Sequence, residues 1–487
     1  MLAGFFGLAL VALAACGGSA ISPKEALQAN QDILGVGGSG TSGPVVPGTD
    51  PTSGVPGGAA TNPTSGPGGP GSNPTSGPGG AGSNPTSGPG GPGSNPTSGP
   101  GNAPPPGVKA GSCTGFKNGK GISDKTITIG NSSDVSGPIP GLFASAQQGT
   151  QAYVAYFNAT SSICGRKLAL TNLDSRTDAG ADQTSYQTMC DNVFAAVGSM
   201  SAFDSGGAQA AASCGLPDIR TAITTAARNG CGTCFAAHPT GPYESPSEVP
   251  DYIVKNYHEA SQKAAFLYIN VGAAAENGQA QQKAEEKRGM KFLYTGVIDI
   301  ADFNYGPYVQ AMKSKGVEFV QFIGAYQQAV RLDQAMQDNN FHPQVRLDDP
   351  SVYDQGFLKT GGSAVEGVFV FIDFTPLEES QPELNLYKQW LQQVSPGAQP
   401  TFFGEFAWSA AKLFVQNAIA LGGKLNRASL AASFRPIHAW TGGGMHAPMD
   451  VGGKHTASCI RFMQVKGGRF VPLGSTNYTC HGVTVGR

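Results

Sequence analysis

Chemistry in this sequence would have to come from cysteines, histidines and a few charged residues set in loops. The sharpest spacing is Cys231-Gly232-Thr233-Cys234, followed by His238. Two thiols two residues apart can form a redox centre when a helix N-terminus lowers one thiol pKa. With His238 they can also contribute to a metal site, although no fourth ligand is evident nearby. A redox pair sits after a strand and opens a helix. Here Asn229-Gly230 precede the motif, and Phe235-Ala236-Ala237-His238-Pro239 continue without helical spacing. A structural disulfide is therefore expected, with redox and metal roles left as alternatives. Acid–base side chains are available at Asp204, Arg220, Arg228 and His238. A second cluster gathers at His438, Trp440, Met445 and His446 and reads as a loop rather than a metal centre. No Gly-x-Ser-x-Gly elbow, phosphate loop or His-Glu-x-x-His motif occurs. The expectation is a protein without catalytic residues, metal or cofactor, with a secreted enzyme kept as an alternative.

The elements that would position these residues begin near Cys113. About 370 residues follow, too many for one hydrophobic core, so two lobes are expected. Thr126-Ile127-Thr128-Ile129-Gly130, Leu168–Thr171 and Ala195–Gly198 read as strands, with helices over Gly141–Phe157 and Ala181–Val193. Another helix and Leu216–Ile219 follow. The rhythm then repeats, with strands at Ala264–Ile269, Phe292–Thr295, Phe319–Ile323 and Gly367–Phe374. Helices are expected at Gln279–Arg288, Tyr308–Lys315, Val330–Asn339 and Phe402–Leu421. This alternation predicts the α/β class: two doubly wound parallel-sheet lobes with a ligand cleft between them, onto which strand C-termini open.

Composition narrows the partners. Lys+Arg 31 nearly balance Asp+Glu 33, so nucleic acid is not expected. Residues Gly35 to Gly107 are almost wholly Gly, Pro, Ser, Thr and Asn, and Asn-Pro-Thr-Ser-Gly-Pro recurs from Asn62, Asn73, Asn84 and Asn95. Such a stretch has no apolar surface to offset chain entropy and is expected to be a disordered tether over 17–112. The apolar run Leu2–Ala15 is too short for a permanent span and ends in small residues, as a signal peptide does. Leu13-Ala14-Ala15-Cys16 resembles a bacterial lipobox. That resemblance implies a signal peptide over 1–16, lipid on Cys16 and an extracytoplasmic protein anchored to the cell membrane. Removing Cys16 from the nine cysteines leaves eight, an even number suited to an oxidising compartment. Local placement suggests Cys113–Cys164, Cys190–Cys214, Cys231–Cys234 and Cys459–Cys480 pairs.

Thr126–Gly130 running into Ser136-Gly137-Pro138, with a helix near Gly141, resembles the opening of type I periplasmic binding proteins of the leucine/isoleucine/valine-binding branch. Phe194–Ser199, Gly215-Leu216-Pro217, Val254–Tyr257, Asp302-Phe303 and Gly362–Val368 follow in the same order. Ile163–Lys167 and Val197–Asp204 are similar to an actinobacterial subgroup of exported lipoproteins. The resemblance implies one lobe from 113–243 and 374–455, and a second from 244–373 and 456–487. It implies a small polar or amphipathic solute between them, such as a branched-chain amino acid or a related compound. An ABC permease would be the partner; a tethered sensor reporting to a signalling partner is the alternative. It also implies solute contacts at Ser136, Gly137, Ser199, Met200, Ser201, Ala222 and Thr224 in the first lobe. In the second lobe, Tyr326, Asp349, Tyr353 and Asp354 are implied.

Overall fold

The computed structural model describes residues 108–487. The apolar run, Cys16 and the repeats of the tether lie outside the described residues. The first sheet holds β1 (Thr126–Ser133), β2 (Lys167–Asp174), β3 (Ala195–Val197), β4 (Asp218–Ala222) and β5 (Cys234–His238). Their spatial order is β2-β1-β3-β4-β5, and every pairing is parallel. The chain then crosses through β6 (Glu244–Pro246) to β7 (Ala264–Ile269), β8 (Phe292–Ile298), β9 (Phe319–Ile323), β10 (Val345–Asp348) and β11 (Phe369–Ile372). These take the same relative order, β8-β7-β9-β10-β11. β12 (Cys459–Val465) and β13 (Phe470–Leu473) extend the β11 edge in antiparallel fashion. Short β14 (Thr479–Cys480) pairs with β12, and β15 (Val483–Val485) pairs with β6. The two doubly wound lobes of the expected α/β fold are therefore present.

The central strands are buried and largely apolar because helices cover both faces of a parallel sheet. All residues of β7 and β9 are buried. Four helices border the region where the strand C-termini converge or pack behind it: α1 (Ala144–Thr160), α2 (Gly272–Lys287), α3 (Tyr326–Asp338) and α4 (Phe402–Leu421). Helix α4 is apolar on nearly every side because it is packed on nearly every side. It lies against β4, β5 and α1. A Cβ at Gly149 of α1 would collide with the Gly404 carbonyl of α4, so the two backbones approach too closely for any side chain there. Trp408 sits edge-on to Tyr153 at 4.8 Å and stacks on Tyr156 at 5.7 Å.

The structure closes the four disulfides suggested by local placement. Cys231–Cys234 lies at the mouth of β5, leading into a strand rather than a helix. Cys459 and Cys480 face each other across the β12–β14 pairing. The His438–His446 region is a set of turns and isolated bridges. His446 is buried and its pKa is pushed down to about 4 by that burial. Its Nδ1–H donates to the Ala447 carbonyl at 2.9 Å, which leaves Nε2 to accept from Ser409 Oγ at 2.8 Å. Trp440 Nε1 donates to the same hydroxyl. Among the described residues, no His, Cys, Asp and Glu cluster is arranged to hold a metal, and no helix is long and apolar enough to cross a membrane.

Candidate functional site

A cleft of about 530 Å³ lies where the strand C-termini of the two sheets meet. From the first sheet come Ile139–Ser145 after β1, Met200 and Ala202 after β3, Ala222 and Thr224 after β4, and His238 at the end of β5. The second sheet supplies Val271–Ala274 after β7, Ile300 after β8, Gly324–Gln328 after β9, Asp349–Tyr353 after β10, and Asp373 after β11. In the order β2-β1-β3, the crossovers from β1 and β3 leave on opposite sides of the sheet. That switch opens a crevice at their C-termini, and α1 begins there. Phe143, Val271 and Ala325 stand at the N-terminal ends of α1, α2 and α3 without a side-chain cap. Their leading amides are thereby left to other partners.

Much of the lining is apolar. Phe143, Phe402 and Phe403 form an aromatic wall, with ring centroids 4.6 Å apart for Phe143–Phe403 and 4.9 Å for Phe402–Phe403. Set into it are buried polar atoms without a protein partner: Thr177 Oγ1, Thr224 Oγ1, His238 Nδ1, Gln327 Oε1, Gln328 Nε2 and Asp373 Oδ1. Leaving such a group dry and unpaired costs about 1–3 kcal/mol.

The charged lining is one-sided. Glu244, Asp349, Asp354 and Asp373 face the cleft, and among the described residues neither lysine nor arginine does. His238 Nε2 reaches Asp373 Oδ2 at 2.8 Å. Asp349 accepts the Ser351 amide at 3.0 Å, and burial pushes its carboxyl up to about 6. Asp354 accepts the Gly356 amide at 2.6 Å and is raised by burial too. Glu244 is occupied by the Thr456 amide and His455.

Of the residues expected from sequence, Met200, Ala222, Thr224, Tyr326, Asp349, Tyr353 and Asp354 line the cleft. Ser136, Gly137, Ser199 and Ser201 do not. Ser136 is tied by its amide and hydroxyl to Asp174. Gly137 has φ +115°, and a Cβ there would collide with the Arg176 carbonyl. Ser199 Oγ accepts the Ser132 amide at 3.0 Å. Ser201 Oγ donates to Asp134 at 3.1 Å. These hydroxyls knit loops together behind the cleft instead of facing it. Asp134, which sequence reasoning passed over, is the centre of that knot: it also accepts from Ser175 Oγ, the Thr177 amide and the Ala202 amide.

Asp204, Arg220 and Arg228 are fully buried away from the cleft. Arg228 bridges Asp182 at 2.9 Å and Asp218 at 3.0 Å. Asp204 accepts from the Thr224 amide and Thr225 Oγ1. Their task is to hold the loop that carries Thr224. The His238–Asp373 pair was missed because its members are 135 residues apart; only the folded crossovers bring them together.

A family model described as "Periplasmic binding protein" matches residues 126–469. The chain belongs to that periplasmic binding protein family. Several solved structures share the family's fold with this member. One is a fatty acid ABC transporter substrate-binding protein from Thermomonospora curvata (20% identity, TM-score 0.64, covering 74% of this chain and 96% of that one). Another is the branched-chain amino acid transporter substrate binding protein LivJ from Streptococcus pneumoniae, in complex with isoleucine (15%, 0.62, 73% and 100%). A third is an ABC transporter solute binding protein from R. palustris in complex with 4-hydroxybenzoate (16%, 0.61, 73% and 97%). No curated protein sequence matches the chain.

Proposed function

We propose that this family member is an extracytoplasmic solute-binding lipoprotein of an ABC importer. The observation that carries the reading is the cleft between two strand C-terminal edges, lined by apolar rings and by polar atoms lacking partners. Residues 113–243 with 374–455 would move as one body, and 244–373 with 456–487 as the other, closing on the solute by a hinge. The closed form would then dock on a permease, and no chemical step is required of the chain. Lipid on Cys16 would tether it to the membrane; the intact mass of the membrane-extracted protein reports whether that lipid is present.

The lining supports an amphipathic solute whose charged group is an ammonium seated between Asp349 and Asp373. The cleft, about 530 Å³, lies within the roughly 300–1,000 Å³ usual for sites that take small organic ligands. An aromatic or bulky amino acid or its amide suits both the size and the aromatic wall. The test is a thermal-shift screen of the full-length protein against such amino acids, their amides, and matched carboxylates lacking the amine. A native-state ligand raises Tm by mass action. Shifts are expected with the amines. Shifts confined to the amine-free carboxylates would overturn the ammonium assignment, and no shift across the panel would count against this solute class.

Placement separates two hydroxyls. Thr224→Ala is expected to weaken binding of the solute found in that screen by about 1–3 kcal/mol, because Thr224 lines the cleft and its buried Oγ1 has no protein partner. Ser199→Ala should leave the affinity unchanged and lower folding stability by about 1 kcal/mol, since it strips the Ser132 amide of its acceptor. Calorimetric titration and urea melts of both variants check this; an affinity loss in Ser199→Ala alone would reverse the assignment.

A further inference from the structure

The two lobes meet directly at one edge of the cleft through the first turns of α2. The Ala273 amide donates to the Ala202 carbonyl at 2.9 Å. Glu276 Oε1 accepts the Ala226 amide at 2.6 Å. Asn277 Nδ2 donates to the Thr224 carbonyl at 3.0 Å. The second-lobe helix thus holds two of the first-lobe loops that carry cleft residues, the one after β3 and the one after β4. The backbone at the start of α2 fits the same contact. Gly272 has φ +25°, and a Cβ on it would collide with the Ala202 carbonyl oxygen. Only glycine lets the start of α2 come this close to the opposite lobe.

We propose that Glu276 and Asn277 form an inter-lobe latch that fastens the closed cleft by gripping the backbone of the Thr224 loop. Glu276 is a positioning residue: it touches no solute, but it fixes the loop that presents Thr224. Because the latch grips main-chain groups, any solute that fits under the closed lobes is held by the same fastening. The inference rests on the reading of the lobes as opening and closing around a solute.

The test needs no solute, so its failure is distinguishable from failure of the solute assignment. Hydrogen exchange is followed in the full-length protein over the segments containing Ala226 and Ala273. In the unmodified protein the Ala226 amide should be protected. Glu276→Ala, which removes the acceptor from the other lobe, should speed its exchange about tenfold while β1 and β9 keep their protection. Glu276→Gln retains the Oε1 acceptor and should preserve the slow exchange. Asn277→Leu, a second and independent break, should loosen the same first-lobe segment. An unprotected Ala226 amide in the unmodified protein overturns the latch, as does unchanged exchange in both Glu276→Ala and Asn277→Leu.

Discussion

Replacing Arg228 by leucine is expected to cost about 3–5 kcal/mol of folding stability, the range for removing one partner from a buried ion pair. Arg228 is fully buried. It reaches two carboxylates, Asp182 and Asp218, and its Nε donates to the Asp204 carbonyl at 2.7 Å. Its guanidinium also lies 4.2 Å from the Tyr186 ring centroid. Leucine fills part of the volume but leaves Asp182 without its ion-pair partner in a site that water does not reach, while Asp218 keeps Arg220 and the Tyr186 hydroxyl. Burial already pushes Asp182 up to about 6 with Arg228 in place, so without it Asp182 must take up a proton or the site must open. Urea denaturation with linear extrapolation measures the loss. A loss below about 1 kcal/mol would mean that Arg220, which also touches Asp218, carries the network alone. The damage should reach the cleft as well, because Asp204 of the same network holds the Thr224 amide.

The second large effect has the opposite sign. Glu285→Gln is expected to stabilise the protein by about 3 kcal/mol at pH 7. Glu285 lies fully buried on α2 with the Gln321 side chain beside its carboxyl and no counter-charge, and burial pushes its pKa up to about 8 from the usual 4.5. A raised folded-state pKa in an acid means that the folded protein binds the proton more tightly than the unfolded chain does. Stability is therefore lost as pH rises from about 4.5 towards 8, and regained as pH falls. Glutamine needs no proton, and its amide can still face the unpaired Gln321 carbonyl oxygen. The advantage of the variant should shrink to under about 1 kcal/mol at pH 5. Urea melts at the two pH values decide the matter; a gain that does not vary with pH, or a loss at pH 7, would contradict the protonation argument.

Much of the fold is legible where burial is uniform. Ala264–Ile269, Phe319–Ile323 and Phe402–Leu421 stand in the structure with the bounds their apolar runs suggest. Legibility fails where buried charge interrupts the apolar pattern. β10 reads Val345-Arg346-Leu347-Asp348, and its two charged residues look like loop chemistry. They are buried because Arg346 pairs with Asp333 and Asp348. β5 was hidden by the flanking Cys231-Gly232-Thr233-Cys234 and Pro239. At the cleft, position after a strand identified which loops matter but not which way each side chain points. Ser199 and Ser201 turn inward while Met200 between them faces the cleft, an alternation set by hydrogen bonds to Ser132 and Asp134 that no local pattern records.

The packing of α4 has a consequence for how such a chain matures. The faces of β4 and β5, and the Tyr153 and Gly149 side of α1, are covered by a helix that begins only at Phe402. A chain emerging N-terminus first therefore presents its opening five strands well before the segment that completes their core has arrived. Until then the faces that α4 covers lack the helix that buries them. The late position of one helix thus makes completion of the first lobe wait on a segment near the end of the polypeptide.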